Sequence, residues 1–501
     1  MIIQFDQVKN LVVQQIYGPV SQRVSKLCFH SKRSCAGAVF FSMKGEHADG
    51  HHYIDEALDL GASVIVGCEE RLMADLHRRF PQRTFICVAD VRSAMACVAK
   101  HFFEDADESL KTVGVTGTNG KTTVAAYIRS LLTLLGMRTG SIGTTGIWSS
   151  KEKLVYKKST PTTPESLDIY QILWEFRSFG DQAAAMEVTS IGMDQQRVEG
   201  IQFDVAVHTN FSEEHLEYHH TMEHYKMSKM RLFEQADTAV VNVDDQGMGK
   251  DLLQAFSGPV WTYSIEGHPE ADICAEQIQQ NENGSVFYLT VLGKSFFVNV
   301  PVYGTYNVAN VLSAIGAALH LNFSIEDIVD VLPKLESPVG RFQMIQGSDN
   351  QKIILDYAHT PVALNRLLEE VKKLNYGRLI VMIAGIGIRD FNKMPKMAAA
   401  IEGKADTVIV TVDHPGFHDP QTIVDKVLSG FKEPGAQNIF TSLTRKEGVL
   451  RALSLARHND LILLTSGCIN EAQLVRGKEI PHSDEEIIKQ FYKSRPQLKS
   501  D

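Results

Sequence analysis

The stretch TVGVTGTNGKTTVAAYIRSLLTLLG, Thr112–Gly136, decides how the rest of the chain is read. Its apolar start, Thr112–Val115, has the β-branched character of a buried strand. Gly117-Thr118-Asn119-Gly120-Lys121-Thr122-Thr123 follows, and then Val124, Ile128, Leu131, Leu132 and Leu135 recur at helical spacing, with Gly136 as a stop. Strand, glycine-rich loop and helix in that order form a phosphate cradle. Glycines let backbone N–H groups fold around phosphate oxygens, and the helix start adds the positive end of its dipole. Lys121 is expected to reach the β/γ-phosphates and the Thr122 hydroxyl to ligate Mg²⁺. The spacing departs from the general GxxxxGK[ST] pattern, because Val115 stands where the first glycine would be. The segment predicts a nucleoside-triphosphate site.

Outward from this loop, short apolar runs alternate with longer helical patterns, the signature of parallel sheets covered by helices. AVFFSM (38–43) and ASVIVG (62–67) precede it; AAAMEV (183–188), FDVAVHTN (203–210) and TAVVNVDD (238–245) follow. Beyond SPVGRF (337–342) come KIILDYAH, RLIVMIAG, DTVIVTVD and DLILLTSG. A polar break at FFEDADESLK and a second near Ser337 predict three α/β domains, 1–109, 110–336 and 337–501. The central one is expected to be P-loop ATPase-like with a mostly parallel sheet, and the last to carry a parallel-type sheet. Ligands should then gather at the carboxyl ends of the strands.

At 501 residues, 44% hydrophobic and 22% charged, the chain suits about three globular domains. Fifty Lys+Arg against 60 Asp+Glu leave a formal charge of −10 without long single-sign blocks, which disfavours nucleic-acid binding. No apolar run nears the ~18–20 residues that span a bilayer. MIIQFDQVKN lacks the apolar centre of a secretory signal. Seven scattered cysteines without a CxxC pair read as free thiols. A cytoplasmic, monomeric protein is expected.

Several motifs then narrow the chemistry. GTNGKTT is followed by TTP (162–164), MEVTS (186–190), TNFSEEHLEYH (209–219), the Tyr225…Lys229…Phe233 spacing and VNVDD (241–245). GTYNVAN (304–310), GRF (340–342), LDYAHTP (355–361) and IRDFNKMPKM (388–397) continue the series, and HSKRSCAGAVFFSMKGEHADGHHYIDEALDLGA (30–62) opens it. In this order, over essentially the whole chain, they resemble the Mur ligase family, in the branch that extends a UDP-linked muramoyl dipeptide by one amino acid. The resemblance implies an ATP-dependent acid–amino-acid ligase of peptidoglycan precursor synthesis. ATP would phosphorylate the carboxylate of UDP-N-acetylmuramoyl-L-alanyl-D-glutamate, and a free amino acid would attack the acyl phosphate. Such chemistry rests on positioning and charge neutralisation.

The same resemblance implies roles residue by residue. Lys121, Glu187, His215 and Lys229 are the implied catalytic set, with Thr122, Glu187, His215 and carbamylated Lys229 around two Mg²⁺ sites. Taken alone, Glu187 also reads as a cap or ion-pair residue, His215 as a helix-surface histidine and Lys229 as a solvated lysine like Lys226. Asn307 and Asn310 would approach adenine, and Arg341 and Asp356 the phosphate and ribose, although each also reads as a turn or ion-pair residue. Ser31, Glu46, His47, Ala48, Thr162, Thr163, Thr189, Gln195 and Arg197 would hold the UDP-muramoyl dipeptide, Arg197 through bidentate pairing. Ser31 and Thr189 read equally as local turn or cap residues.

The amino-acid pocket departs from the family pattern. Arg389, Asp413, His414 and Gly416 fall at its positions, but the diaminopimelate branch carries Asp-Asn-Pro-Arg where this chain reads Asp413-His414-Pro415-Gly416. A contact to a distal carboxylate, about 1.5–3 kcal/mol, is lost with that arginine. Ser466–Glu471 replaces Gly-Lys-Gly-His-Glu, Ile191 a histidine, and Lys32 an arginine; Glu214 and Glu217 replace two aspartates. Three functions fit: a tripeptide synthetase with an unusual third amino acid, a paralogous ligase using a different carboxylate, and a nucleotide-binding regulator without ligation. The retained Lys121, Glu187, His215 and Lys229 argue against the last.

Overall fold

The structure, a computed structural model, describes residues 1–45, 48–156, 159–160, 162–281, 283–467 and 472–494. It has the α/β architecture with mostly parallel sheets that the alternating pattern predicts, and the chain divides into two compact units. One comprises Met1–Ile273 with Leu312–Val331; the other comprises Cys274–Val311 with Leu332–Asp501.

Two main sheets build the first unit, beside the antiparallel pair Ile2–Gln4 with Ser21–Arg23. The smaller runs in the order Gln15–Tyr17, Thr84–Cys87, Val64–Gly67, Ala38–Phe41, Lys26–Cys28. Only its first strand is antiparallel. The three central strands are buried residue for residue, as continuous apolar runs covered on both faces must be. The larger sheet runs Lys153–Leu154, Gly146–Trp148, Thr139–Gly143, Ala183–Glu187, Lys111–Thr116, Phe203–His208, Ala236–Asn242, Val260–Ser264 in this unit. From Thr139–Gly143 onward all pairs are parallel. One apolar core serves both sheets. It includes Val39, Val64 and Ile86 of the smaller, Ala184 and Ala206 of the larger, and the packed helices Val91–Phe102 and Ser166–Phe179.

Register sets up the crevice. Glu187 lies opposite Val115, and His208 opposite Thr116, so three parallel strands end at one level with the loop at Gly117 between them. That is the carboxyl-end position where open α/β sheets take ligands.

The second unit holds a six-stranded sheet in the order Gln343–Gln346, Lys352–Leu355, Leu461–Leu464, Leu379–Ile386, Thr407–Asp413, Ile439–Thr441, with only the first strand antiparallel. Alternate residues feed two cores: Val381, Ile383, Val410 and Leu463 on one face, Ile380, Met382, Ile409 and Ile462 on the other. This unit also contains the antiparallel strands Gly284–Val291 and Lys294–Val300, and the hairpin Ala472–Val475 with Lys478–Pro481. Cys28, Cys35, Cys68, Cys87, Cys97 and Cys274 are free thiols; Cys468 lies outside the described residues. Among the described residues no helix is long and apolar enough to cross a membrane.

Candidate active site

The loop after Lys111–Thr116 is fastened from below by the segment Thr209–Ser212. Thr209 donates its hydroxyl to the Asn119 carbonyl at 2.6 Å, and Asn210 receives the Asn119 N–H at 3.0 Å and that of Thr118, on its own carbonyl, at 2.8 Å. The Thr118 hydroxyl donates to Ser212 O at 3.1 Å and meets the Tyr225 hydroxyl at 3.2 Å. Gly117 has φ +146°, and a Cβ there would lie 1.9 Å from Thr209 Oγ1, so only glycine lets the two segments close. The helix Lys121–Leu134 starts directly after Gly120, and Lys121 Nζ folds back to donate to Gly117 O at 2.7 Å and Thr118 O at 2.9 Å. Thr122 and Thr123 are buried in its first turn.

Glu187 faces this helix start. It is 2% exposed. Its Oε2 accepts the Thr122 hydroxyl at 2.8 Å, and its Oε1 the Thr144 N–H at 2.7 Å. Its described partners are thus neutral donors. Removing a carboxylate from water costs several kcal/mol, which such donors offset only in part. A cation beside this pair of oxygen donors would complete the compensation, and hydroxyl plus carboxylate is the donor set that suits Mg²⁺. The sequence reading missed two residues here. Thr144 holds the carboxylate, and Gly143 makes room for it, since a Cβ on Gly143 would lie 2.2 Å from Glu187 Oε1. Gly143→Ala is therefore expected to fold, because the far end of a side chain can move, yet to lose at least about tenfold in turnover and to need more Mg²⁺ for half-saturation, measured by metal titration of initial rates.

Tyr225 organises the remaining members. The helix Met222–Glu234 is capped by Thr221, whose hydroxyl accepts the His224 N–H at 3.1 Å. Tyr225, Lys229 and Phe233 form one buried row on it, as their spacing predicts. Lys229 is 1% exposed, donates to Gly117 O at 2.7 Å and sits 4.6 Å over the Tyr225 ring. Burial, then the Lys121 charge, holds its ammonium well below the ordinary lysine range. The bland reading, a solvated lysine, fails here; Lys226 is the one that reaches the surface, paired with Asp251 at 2.7 Å. His215 adopts φ +58° ahead of the short helix Leu216–His219, its ring 6.0 Å from that of Tyr225. Burial first, with Lys121 and Lys229, lowers its pKa against the opposing pull of Glu214, favouring the neutral imidazole that binds cations.

A chain of hydrogen bonds leads from Glu187 to most of the residues read as acceptor contacts. The Thr163 hydroxyl donates to Glu187 O at 2.9 Å and meets Thr189 Oγ1 at 3.0 Å, while Thr162 meets Thr144 at 3.1 Å. Thr189 also caps the turn Ser190–Asp194 by accepting the Gly192 N–H, so its cap reading holds as well. Arg197 donates to Thr163 O at 3.0 Å and Gln195 Oε1 at 2.6 Å, and pairs with Glu165 at 3.3 Å. Ser31 is not in this chain: it is buried, opens a short turn and donates to Glu56. Ala48 is exposed, and its carbonyl accepts the Gly45 N–H; Glu46 and His47 lie outside the described residues.

The second unit holds two further groups. Asn310 donates to Asn307 Oδ1 at 3.1 Å, and Asn307 to Tyr303 O at 2.8 Å; Tyr303 stacks on Phe342. Buried Asp356 accepts the Phe342 and Ala358 N–H groups, both at 2.8 Å, and burial raises its carboxyl against the pull of Arg341, whose guanidinium lies over Tyr357. The other group is Asp413-His414-Pro415-Gly416 against the hairpin. Asp413 is 1% exposed and accepts Gln473 Nε2 at 2.5 Å; its Oδ2 lies 4.0 Å from Arg445. His414 Nδ1 accepts the Leu474 N–H at 3.0 Å, while Gly416, φ +62°, exchanges bonds with Leu474 and Arg476. Arg389 is exposed just past the neighbouring strand, and Cys468–Glu471 lie outside the described residues.

Residues 24–103 match the Mur ligase family catalytic domain, 115–318 the Mur ligase middle domain, and 340–468 the Mur ligase glutamate ligase domain. The chain is similar to UDP-N-acetylmuramoyl-L-alanyl-D-glutamate--2,6-diaminopimelate ligase 2 of Clostridium acetobutylicum, 33% identical over 487 residues, covering 96% of this chain and 98% of the relative. It is also 33% identical over 493 residues to UDP-N-acetylmuramyl-tripeptide synthetase 2 of Oceanobacillus iheyensis, covering 96% and 97%. A solved structure of a UDP-N-acetylmuramoyl-L-alanyl-D-glutamate--2,6-diaminopimelate ligase covers 99% of both chains at 27% identity, with a TM-score of 0.68.

Proposed function

The chain belongs to the Mur ligase family of ATP-dependent, amide-bond-forming enzymes of peptidoglycan precursor synthesis, and we propose that it adds one amino acid, other than diaminopimelate, to UDP-N-acetylmuramoyl-L-alanyl-D-glutamate. The observation that carries the reading is the convergence of Lys121, Thr122, buried Glu187 and buried Lys229 on the loop at Gly117. The enzyme works in the cytoplasm as a monomer, with domains 1–109 for the uridine nucleotide, 110–336 for ATP and 337–501 for the amino acid.

In this proposal the loop Gly117–Thr123, through the N–H groups at the start of the helix Lys121–Leu134, and the Lys121 ammonium hold the β/γ-phosphates, with Asn307 and Asn310 at the adenine and Arg341 and Asp356 at phosphate and ribose. Ser31, Glu46–Ala48, Thr162, Thr163, Thr189, Gln195 and Arg197 hold the acceptor. An oxygen of one of its two free glutamyl carboxylates attacks the γ-phosphorus while the bond to ADP breaks. The amine of the incoming amino acid then attacks the acyl carbon, phosphate leaves with that oxygen, and the amine proton passes to solvent or phosphate. Thr122 and Glu187 would hold one Mg²⁺, and His215 with carbamylated Lys229 a second. When bound, these ions supply neutralisation of the charge on the transferring phosphoryl group. The low pKa of Lys229 supports its modification: a neutral amine attacks CO₂, loses a proton and becomes a carbamate anion.

Arg389 would take the α-carboxylate, beside Asp413, His414 and Gly416. Gly416 cannot supply the charged contact of the diaminopimelate branch, and its φ of +62° disfavours any side chain. The test offers purified protein ATP, Mg²⁺, the UDP-muramoyl dipeptide and single amino acids, with phosphate release as readout. Turnover should require the dipeptide and favour another amino acid over diaminopimelate by at least about tenfold, the value of one charge-assisted contact. Preference for diaminopimelate would overturn the specificity, and turnover only with another carboxylate would overturn the acceptor.

A further inference from the structure

Two guanidinium groups share one buried carboxylate beside the residues read as acceptor contacts. Glu165 follows the 162–164 segment and directly precedes the helix Ser166–Phe179. Its Oε2 accepts a hydrogen bond from Arg92 Nη1 at 2.8 Å, and its Oε1 lies 3.3 Å from Arg197 Nε. Arg92 stands in the first turn of the helix Val91–Phe102, which Asp90 caps, and its Nη1 also donates to the Gln195 carbonyl at 3.3 Å. Gln195 is thereby held twice, at its backbone by Arg92 and at its side chain by Arg197, whose Nη2 donates to Gln195 Oε1 at 2.6 Å.

We propose that Arg92 is a positioning residue for acceptor binding: by engaging Glu165 it keeps Arg197 in place with its charge available to an anionic group of the acceptor. This role rests on the reading of Arg197 and Gln195 as acceptor contacts. The division of bonds supports it. The short contact of Glu165 goes to Arg92, while the described bonds from Arg197 Nη1 and Nη2 go to neutral oxygens: Thr163 O at 3.0 Å, Thr160 Oγ1 at 3.2 Å and Gln195 Oε1. Arg197 and Glu165 alone would form a neutral pair, to which an anion gains little by binding. With Arg92 added, two positive charges face one negative, and the three side chains carry one net positive charge. Each of those side chains is at least three-quarters buried, where charges are screened far less than at the surface. A UDP-linked muramoyl dipeptide suits such a site, because it carries a pyrophosphate and two free carboxylates. Losing Arg92 would turn Glu165 fully onto Arg197 and cancel the charge that attracts the acceptor.

The test is calorimetric titration of the full chain with UDP-N-acetylmuramoyl-L-alanyl-D-glutamate, with Mg²⁺ and a non-hydrolysable ATP analogue present and no amino acid, so that no turnover occurs. Arg92→Met should weaken binding about tenfold or more, the value of a charge-assisted contact. Adding Glu165→Gln to Arg92→Met should restore most of that affinity, because it removes the carboxylate that neutralises Arg197. An Arg92 that served only to pack its helix would gain nothing from the second change. Arg92→Lys, which keeps the charge, should bind more tightly than Arg92→Met. Affinity for the ATP analogue should be the same in all variants, which also reports that each is folded. Wild-type affinity in Arg92→Met, or an equal loss with and without Glu165→Gln, would overturn this role while the acceptor reading stands. A wild-type chain that does not bind the dipeptide would overturn the acceptor reading itself, and this role with it.

Discussion

Replacing Lys229 by alanine should lower turnover about 10²–10³-fold, the loss typical of removing one preorganised electrostatic contact to a reacting group. The reason lies in where the side chain sits. It is sealed beneath the loop, donating to Gly117 O over the Tyr225 ring, with the Lys121 charge nearby. Two ammonium groups converge on one carbonyl, an arrangement that favours the neutral amine and hence carbamate formation. If the carbamate is what matters, a short-chain carboxylic acid added to the alanine variant should restore part of the rate. Lys229→Arg should be equally slow and resist rescue, because a guanidinium neither takes up CO₂ nor vacates the space. Carbon-13 bicarbonate should label the wild-type chain with a carbamate resonance that the alanine variant lacks. Full activity in Lys229→Ala would reduce the residue to packing.

Asp484→Ala should destabilise the second unit by about 3–5 kcal/mol, the cost of breaking a buried ion pair by removing one of its members. Arg445 is 0% exposed and donates to Asp484 through Nε at 3.1 Å and Nη2 at 2.6 Å; its Nη1 donates to Thr465 O at 3.1 Å. His482 bonds the same carboxylate at 2.8 Å. Despite burial, which works against ionisation, Arg445 and His482 hold Asp484 down to about 2. Its folded pKa lies below the unfolded 3.8, so its stabilisation is present above about pH 4 and is lost as pH falls toward 2. Thermal melts of wild type should therefore fall in this window more steeply than those of Asp484→Ala. An Asp484→Ala melt equal to wild type at pH 7 would show that the pair contributes little.

These predictions separate what the sequence makes legible from what it hides. The cradle is legible because strand, glycines, lysine and helix are contiguous, and TNFSEEHLEYH and the Tyr225–Lys229–Phe233 row carry their own spacing. The sheets are legible because short apolar runs such as Ala38–Phe41 and Leu379–Ile386 recur between longer helical patterns. Gly143 is not, since its requirement is imposed by a carboxylate 44 positions later in the chain. Arg445 and Asp484 look like ordinary surface charges until the helix Arg445–Leu455 and the segment His482–Asp484 are brought together. Nothing local records such pairings. Ser31 shows the converse: the motif singles it out, and the structure bonds it to Glu56 rather than to the chain of residues leading from Glu187.

The central step of the proposed reaction is transfer of a phosphoryl group onto a carboxylate at the Gly117–Thr123 loop. The direct measurement uses UDP-N-acetylmuramoyl-L-alanyl-D-glutamate labelled with oxygen-18 in both glutamyl carboxylates, with ATP, Mg²⁺ and the preferred amino acid. Mass analysis should find one labelled oxygen in each phosphate released, with the amide product formed in equal amount. Phosphate carrying no label would mean that ATP is split without activating the acid, and the central claim would be wrong.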